Sequence, residues 1–298
     1  MISVEEFRQL VRDTGFGAYV LFGAALALLV VVSSVFYALV GFYWAIIGYE
    51  LVAILGAGFY WRAIVGREVA APWPELGDSG MHVGSALLLA LTAVVLGLWG
   101  NAVMGLGVDL FPDTLGPYAE QYQARIRELL LESEGLNWWL ATVGVALVAP
   151  VCEEALFRGS ILQEQLKDGR RWRIIAANGL LFGAFHVQPL NLVPLAVIGA
   201  FLAHVTLVSR SLWPAILGHT VLNVFNGVVM PAVLGRSLGR SSGTLPPEAS
   251  AMARLLNGEQ GTPLEFAAWA LGLGVVSVAL WYAVVRLLDN LHDKSKVS

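Results

Sequence analysis

Eight apolar stretches are the feature of this 298-residue chain that most constrains its fold. They lie near Phe16–Leu39, Phe42–Ile64, His82–Val103, Trp138–Leu162, Ile174–Val187, Leu190–Val208, Leu212–Leu234 and Leu264–Leu288. A helix that crosses a bilayer takes about 20 apolar residues. The fifth stretch is short by that measure and can lengthen at either end, and the break between the first two rests on Gly41 alone. In lipid every backbone N–H and C=O must be bonded inside its own segment or closed barrel, so regularly spaced segments of this kind read as helices and leave no room for an open sheet. Composition agrees: 13% of residues are charged and mean hydropathy is +0.70, where a soluble domain carries about 25% charged residues. The expectation is an all-α integral membrane protein. Residues 1–298 form one polytopic domain of about eight transmembrane helices, with any site in a central intramembrane cavity and residues 141–226 as its core.

The same arithmetic excludes several classes. A net charge of −4 and a pI near 5.7 argue against a nucleic-acid partner, which calls for a basic surface. Cys152 is the single cysteine, so there is no disulfide framework and no multi-cysteine metal centre. The last residues, Lys296-Val297-Ser298, lack a prenylation cysteine, and Met1–Asp13 does not read as a cleavable signal peptide.

Lys and Arg placement sets the expected topology. With the N-terminus in the cytoplasm, Arg8, Arg12, Arg62, Arg67, Lys167, Arg170, Arg171, Arg173, Arg210, Arg286, Lys294 and Lys296 all fall inside. Only Arg125, Arg127, Arg236, Arg240 and Arg254 fall outside, in two long loops. Both termini are therefore expected in the cytoplasm. In the first outer loop Pro117–Gly135 reads as a short surface helix, with Pro117 in its first turn and Gly135 as its stop. The second, Gly235–Pro263, is rich in Gly, Ser and Pro and reads as irregular. No internal repeat is visible.

Charged side chains inside the apolar stretches are costly, about 2.5–3.5 kcal/mol each at mid-bilayer. The fourth stretch holds Glu153, Glu154 and Arg158. Glu154 and Arg158 are four apart with the acid first, the favourable order for an ion pair on one helix face. Glu153 points about 100° away from Glu154 and must either give up its charge or find a partner on another helix. His186 ends the fifth stretch, and His219 and Asn223 share a face of the seventh. At ~1.5 Å per residue, Glu153, His186, His219 and Asn223 lie roughly 14, 18, 10 and 16 Å from the cytoplasmic ends of their segments, in one slab of the membrane. Glu50, Asn178, His204 and Asn226 also lie in apolar runs, and helix–helix packing accounts for them at least as well as function does.

A carboxylate in low dielectric is a competent general base for a confined water. Neutral donors beside it can stabilise the oxyanion of an attacked carbonyl, at about 2.7–4 kcal/mol per donor. The three motifs Glu153-Glu154-Ala155-Leu156-Phe157-Arg158, Phe182 to His186 and His219 to Asn223 match EExxxR, FxxxH and HxxxN in order and spacing. On these residues the chain resembles the type II CAAX prenyl endopeptidases, also called the CPBP intramembrane protease family. The resemblance implies a metal-independent, cofactor-free intramembrane glutamate protease. Glu153, helped by His186, would activate water, and His219 and Asn223 would form the oxyanion hole. Glu154 and Arg158 would hold the geometry, with Phe182 supporting the site. The implied substrate is a membrane-associated peptide or protein, prenylated or not, in a prokaryotic plasma membrane. Three alternatives stay open at this stage. One is a non-catalytic scaffold or bacteriocin-immunity protein on the same fold, and another is a zinc protease using Glu153, His186 and His219. The third is a proton-coupled transporter that relays protons through the buried Glu and His, against which the lack of an inverted repeat counts. The basic turn around Arg170 suggests that substrate arrives from the cytoplasmic leaflet or laterally between helices.

Overall fold

The computed structural model describes residues 3–65, 81–126, 128, 132–230 and 262–295. Among them every regular element is helical: α1 Val4–Asp13, α2 Phe16–Val40, α3 Phe42–Val65, α4 Val83–Leu110, α5 Pro112–Ile126, α6 Gly135–Asp168, α7 Arg171–Phe185, α8 Leu192–Ser209, α9 Trp213–Val224 and α10 Pro263–Ser295. Six of these, α2, α3, α4, α6, α10 and α8 with its leading turn from Pro189, are long and apolar enough to cross a membrane. Helix α7 has 15 residues, and α9 has 12 before it runs on through a π-helical turn, Phe225–Val229.

Local chemistry explains the ends. Ser3 caps α1 by accepting from the Glu6 amide while the Glu6 carboxylate accepts from the Ser3 amide, which satisfies two otherwise orphaned donors. Gly41, at φ +78°, separates α2 from α3 with a backbone conformation that an L side chain rarely adopts. Gly15 N–H donates to Asp168 and Lys167 Nζ donates to the Val11 carbonyl, which fixes α1 against the end of α6. That end of the bundle carries the 166–170 and 210–212 turns, and the opposite end carries α5 and the 186–191 turn.

The first outer loop differs from expectation. Its helix begins at Pro112, Pro117 lies inside it, and Gly135, at φ +56°, opens α6 instead of closing a helix. Both prolines suit a first turn, and the amide of Leu115 bonding back to Phe111 starts the helix at the earlier one. Residues 127 and 129–131 of that loop, the Gly235–Pro263 loop beyond Met230 and up to residue 261, and Arg67, Arg236, Arg240, Arg254 and Lys296 lie outside the described residues.

Helix α6 is the most buried of the six long helices. In its apolar stretch 67% of residues are inside the bundle, against 11% for α2 and 17% for α10. The large apolar side chains that α2 and α10 expose, Val31, Leu39, Leu271 and Val275 among them, suit contact with lipid. Two apolar clusters flank α6. One joins Leu21, Ile54, Trp61, Leu156, Phe157 and Phe185, and the other joins Leu89, Leu96, Phe201, Leu202, Val205 and Leu222.

Helices α7 and α8 touch through glycines. A Cβ on Gly183 would stand 2.6 Å from the Leu192 carbonyl oxygen, and one on Gly179 would collide with the Ala196 carbonyl. Close backbone approach of this kind is how helices associate without a hydrophobic drive between them. Gly183→Ala is expected to cost about 1–3 kcal/mol through overpacking, read as a lower melting temperature in detergent, and to shift His186 three residues further on.

Candidate active site

The site is assembled on α6, α7 and α9. Glu154 and Arg158 are fully buried and joined, Arg158 Nη1 donating to Glu154 Oε1 at 2.9 Å. Arg158 Nη2 donates to the Gly199 carbonyl of α8 at 2.7 Å. His219 Nδ1 lies 2.8 Å from the same Glu154 oxygen. That carboxylate already accepts from a guanidinium, so His219 Nδ1 carries a hydrogen and donates. The aromatic ring of Phe182 fills the space between these groups. It lies 4.6 Å from the Arg158 guanidinium and packs edge-on against His186, His219 and Phe157.

Glu153, one residue earlier, is 8% exposed and lies on the other side of His219 from Glu154. Its Oε2 is buried and has no hydrogen-bond partner. His186 Nε2 lies 3.8 Å from that oxygen and His219 Nε2 lies 3.9 Å from it. His186 Nδ1 is 2.9 Å from the Phe182 carbonyl. A carbonyl only accepts, so this ring donates from Nδ1 and presents a lone pair at Nε2. The gaps of 3.8 and 3.9 Å are too long for direct hydrogen bonds and suit one bridging molecule.

The sequence-derived residues therefore come together unequally. Glu153, His186 and His219 converge on one point, and Glu154, Arg158 and Phe182 lie behind it. Asn223 lines the same cavity as Glu153 and His186, while one of its amide hydrogens is committed to the Val145 carbonyl at 2.9 Å. That carbonyl lies in a π-helical turn of α6, Gly144–Val148. Arg158 lies in another, Phe157–Ile161. Such turns loosen the regular backbone ladder and recur at functional sites. His186 is followed by Val187 at φ +51°, a strained conformation for a β-branched residue that costs about 1–3 kcal/mol. Asn191 N–H donating to the Gln188 carbonyl and Asn191 Nδ2 donating to Gln188 Oε1 close the turn beyond it.

The other intramembrane polar residues divide. Asn178 donates to the Phe157 carbonyl and to Gln165, and His204 accepts from Trp281 while packing against Trp172; both tie helices together. Cys152 is buried in the cluster of Leu156 and Phe157. Glu50 and Asn226, for which packing is at least as good a reading from sequence as function, line the cavity. A lone intramembrane acid is the signal that could have placed Glu50.

The cavity measures about 560 Å³ and is bordered by Glu50, Asn101, Tyr122, Arg125, Gln188 and Asn191, besides the site residues. These come from the halves of the helices next to α5 and the 186–191 turn. None of the lining residues belongs to the basic turn around Arg170, one of the two routes expected from sequence, the other being lateral entry between helices. That turn sits at the opposite end of the bundle, behind the buried Arg158 network. The depths counted from sequence ran along single helices and carried no information about which side was open.

No three His, Cys, Asp or Glu side chains among the described residues are disposed to hold a metal ion.

No curated protein and no solved structure matches the chain. A family model does, over residues 135–225, described as "Rce1-like: Type II CAAX prenyl endopeptidase Rce1-like". The match covers under a third of the chain, takes in all seven motif residues from Glu153 to Asn223, and leaves out Glu50. Residues 135–225 of this multi-pass membrane protein, helical throughout its described regular elements, are thus similar to the Rce1-like type II CAAX prenyl endopeptidases.

Proposed function

We propose that the protein is an intramembrane endopeptidase in which Glu153 activates a water without a metal. The observation that carries this reading is the buried, unpartnered Glu153 oxygen facing two imidazole nitrogens. A water between them donates one hydrogen to Glu153 Oε2 and the other to His186 Nε2, and this aims a lone pair of the water oxygen at a peptide carbonyl. As the water oxygen bonds to the carbonyl carbon, Glu153 takes its proton. The C=O electron pair moves onto oxygen, where His219 Nε2 and the free Asn223 amide hydrogen donate to it. For Nε2 to donate while Nδ1 donates to Glu154, the His219 ring carries both protons, and Glu154 supplies the counter-charge. The intermediate collapses as Glu153 returns the proton to the leaving nitrogen and the C–N bond breaks. Arg158 holds Glu154, and Phe182 keeps both histidines in register.

The bundle reads as eight transmembrane helices in a prokaryotic plasma membrane, with α7 and α9 as the two short ones. Residues 1–298 make one polytopic unit, and the motif-bearing part, 141–226, is its catalytic core. With the basic end in the cytoplasm, both termini are cytoplasmic and the cavity opens toward the opposite leaflet. The substrate is a membrane-associated peptide or protein segment, lipidated or not, presented there by the bilayer.

Mass spectrometry of membrane peptides from cells carrying wild type or Glu153→Gln is the test. Peptide products present in wild type, absent in the variant and insensitive to chelator are expected. Chelator-sensitive cleavage with stoichiometric zinc would replace the mechanism with a metal-dependent one. Identical peptide profiles with an intact cellular phenotype would leave a scaffold or immunity role.

A further inference from the structure

Among the described residues Glu50 is a buried acid that neither the chemistry above nor an ion pair accounts for. It opens a π-helical turn, Glu50–Leu55, within α3, and this turn packs against the part of α6 that carries Glu153. It is 4% exposed, its Oε2 has no hydrogen-bond partner, and it lines the same cavity as Glu153, His186 and Asn223. Buried acids with a structural role look different in this protein. Glu154 is held by Arg158 and His219, and Glu164 accepts from Trp61 and Lys167. No cation or imidazole among the described residues pairs with Glu50. A carboxylate left this way inside an apolar helix is costly, and the cost is relieved either by taking up a proton or by a donor that enters the cavity.

The rest of the lining has the same polarity. The buried polar atoms without partners that border the cavity are Glu50 Oε2, Glu153 Oε2, Asn191 Oδ1 and Asn226 Oδ1. All four are acceptors. Gly97 leaves the space that the Asn226 carboxamide occupies, since a Cβ there would stand 2.9 Å from its Nδ2. A ligand that satisfies this wall brings hydrogen-bond donors, and the donor best matched to a carboxylate is an ammonium or guanidinium group. An anionic group would meet like charge at Glu50 and Glu153. Arg125, the cation of the lining, is exposed on α5, where solvent screens it. The volume of about 560 Å³ is in the range of a peptide-sized pocket.

We propose that Glu50 forms a specificity subsite for a protonated nitrogen of the substrate, the side chain of a Lys or Arg close to the scissile bond. The subsite rests on the proteolytic reading for its place beside the scissile bond, but its charge preference can be measured without turnover. Fluorescent peptides identical except for Lys, Gln or Glu at each of three positions on either side of the cleaved bond are titrated onto purified Glu153→Gln protein in detergent. At one position Lys is expected to bind at least tenfold more tightly than Gln, and Glu more weakly than either. In Glu153→Gln/Glu50→Gln the Lys-to-Gln ratio collapses toward one. Glu50→Met, which keeps the apolar volume, does the same, and melting temperatures report whether each variant is folded. Cleavage by wild-type protein should follow the same order in kcat/KM, mainly through KM. A Lys preference that survives both Glu50 substitutions overturns the subsite, as does its absence at every position. If wild type cleaves none of the peptides, the proteolytic reading falls, while the binding ratios still decide the role of Glu50.

Discussion

Arg158→Ala is expected to lower the melting temperature of the detergent-solubilised protein by about 10 °C, the equivalent of about 3–5 kcal/mol. Glu154 and Arg158 are both fully buried, so removing the guanidinium leaves a carboxylate with only His219 to answer it. The Gly199 carbonyl also loses its donor, and Phe182 loses the cation stacked on its ring. A buried pair is costly to break and far less costly to replace as a unit. The double variant Glu154→Gln/Arg158→Met is therefore expected to melt above Arg158→Ala alone. With the single variants Glu154→Gln and Arg158→Met the double completes a cycle: additive losses from these two single changes would mean that the residues do not act together. The double variant is still expected to be inactive, because His219 then has no counter-charge on its Nδ1 side.

Glu153→Gln is expected to reduce turnover by a hundredfold to ten-thousandfold, the range for loss of a positioned general base, with no fall in melting temperature. Gln keeps the shape of the side chain, and Glu153 Oε2 makes no bond within the protein that the change could break. His186→Ala should fall in the same range. If the two residues hold one water, the double variant is hardly slower than either single one, since groups that act as a unit are not additive. Multiplicative losses would separate them into independent roles. Asn223→Ala should cost about a hundredfold to a thousandfold as one oxyanion donor.

Much of the fold was legible because lipid makes sequence literal: a run of apolar residues must be a helix when water is absent. The pairing of Glu154 with Arg158 followed from a spacing of four, and the meeting of Glu153 with His186 and His219 followed from motifs in the same slab. What was hidden depends on backbone detail and on packing between distant segments. The π-helical turns at residues 50–55, 144–148 and 157–161 leave no signature in composition, yet one frees the carbonyl that holds Asn223. Pro112 and Pro117 are equally good helix starters by type. Glu50 looked like one isolated acid because its neighbour across the cavity, Glu153, is about a hundred residues away in sequence.

The side on which the cavity opens has a consequence for timing. On the orientation proposed above, with the basic turns at the ribosome's side of the membrane, a client segment is cut only once it has been threaded or flipped to the far leaflet. Cleavage then accompanies or follows translocation, and a lipid-modified tail held on the cytosolic face would stay beyond reach.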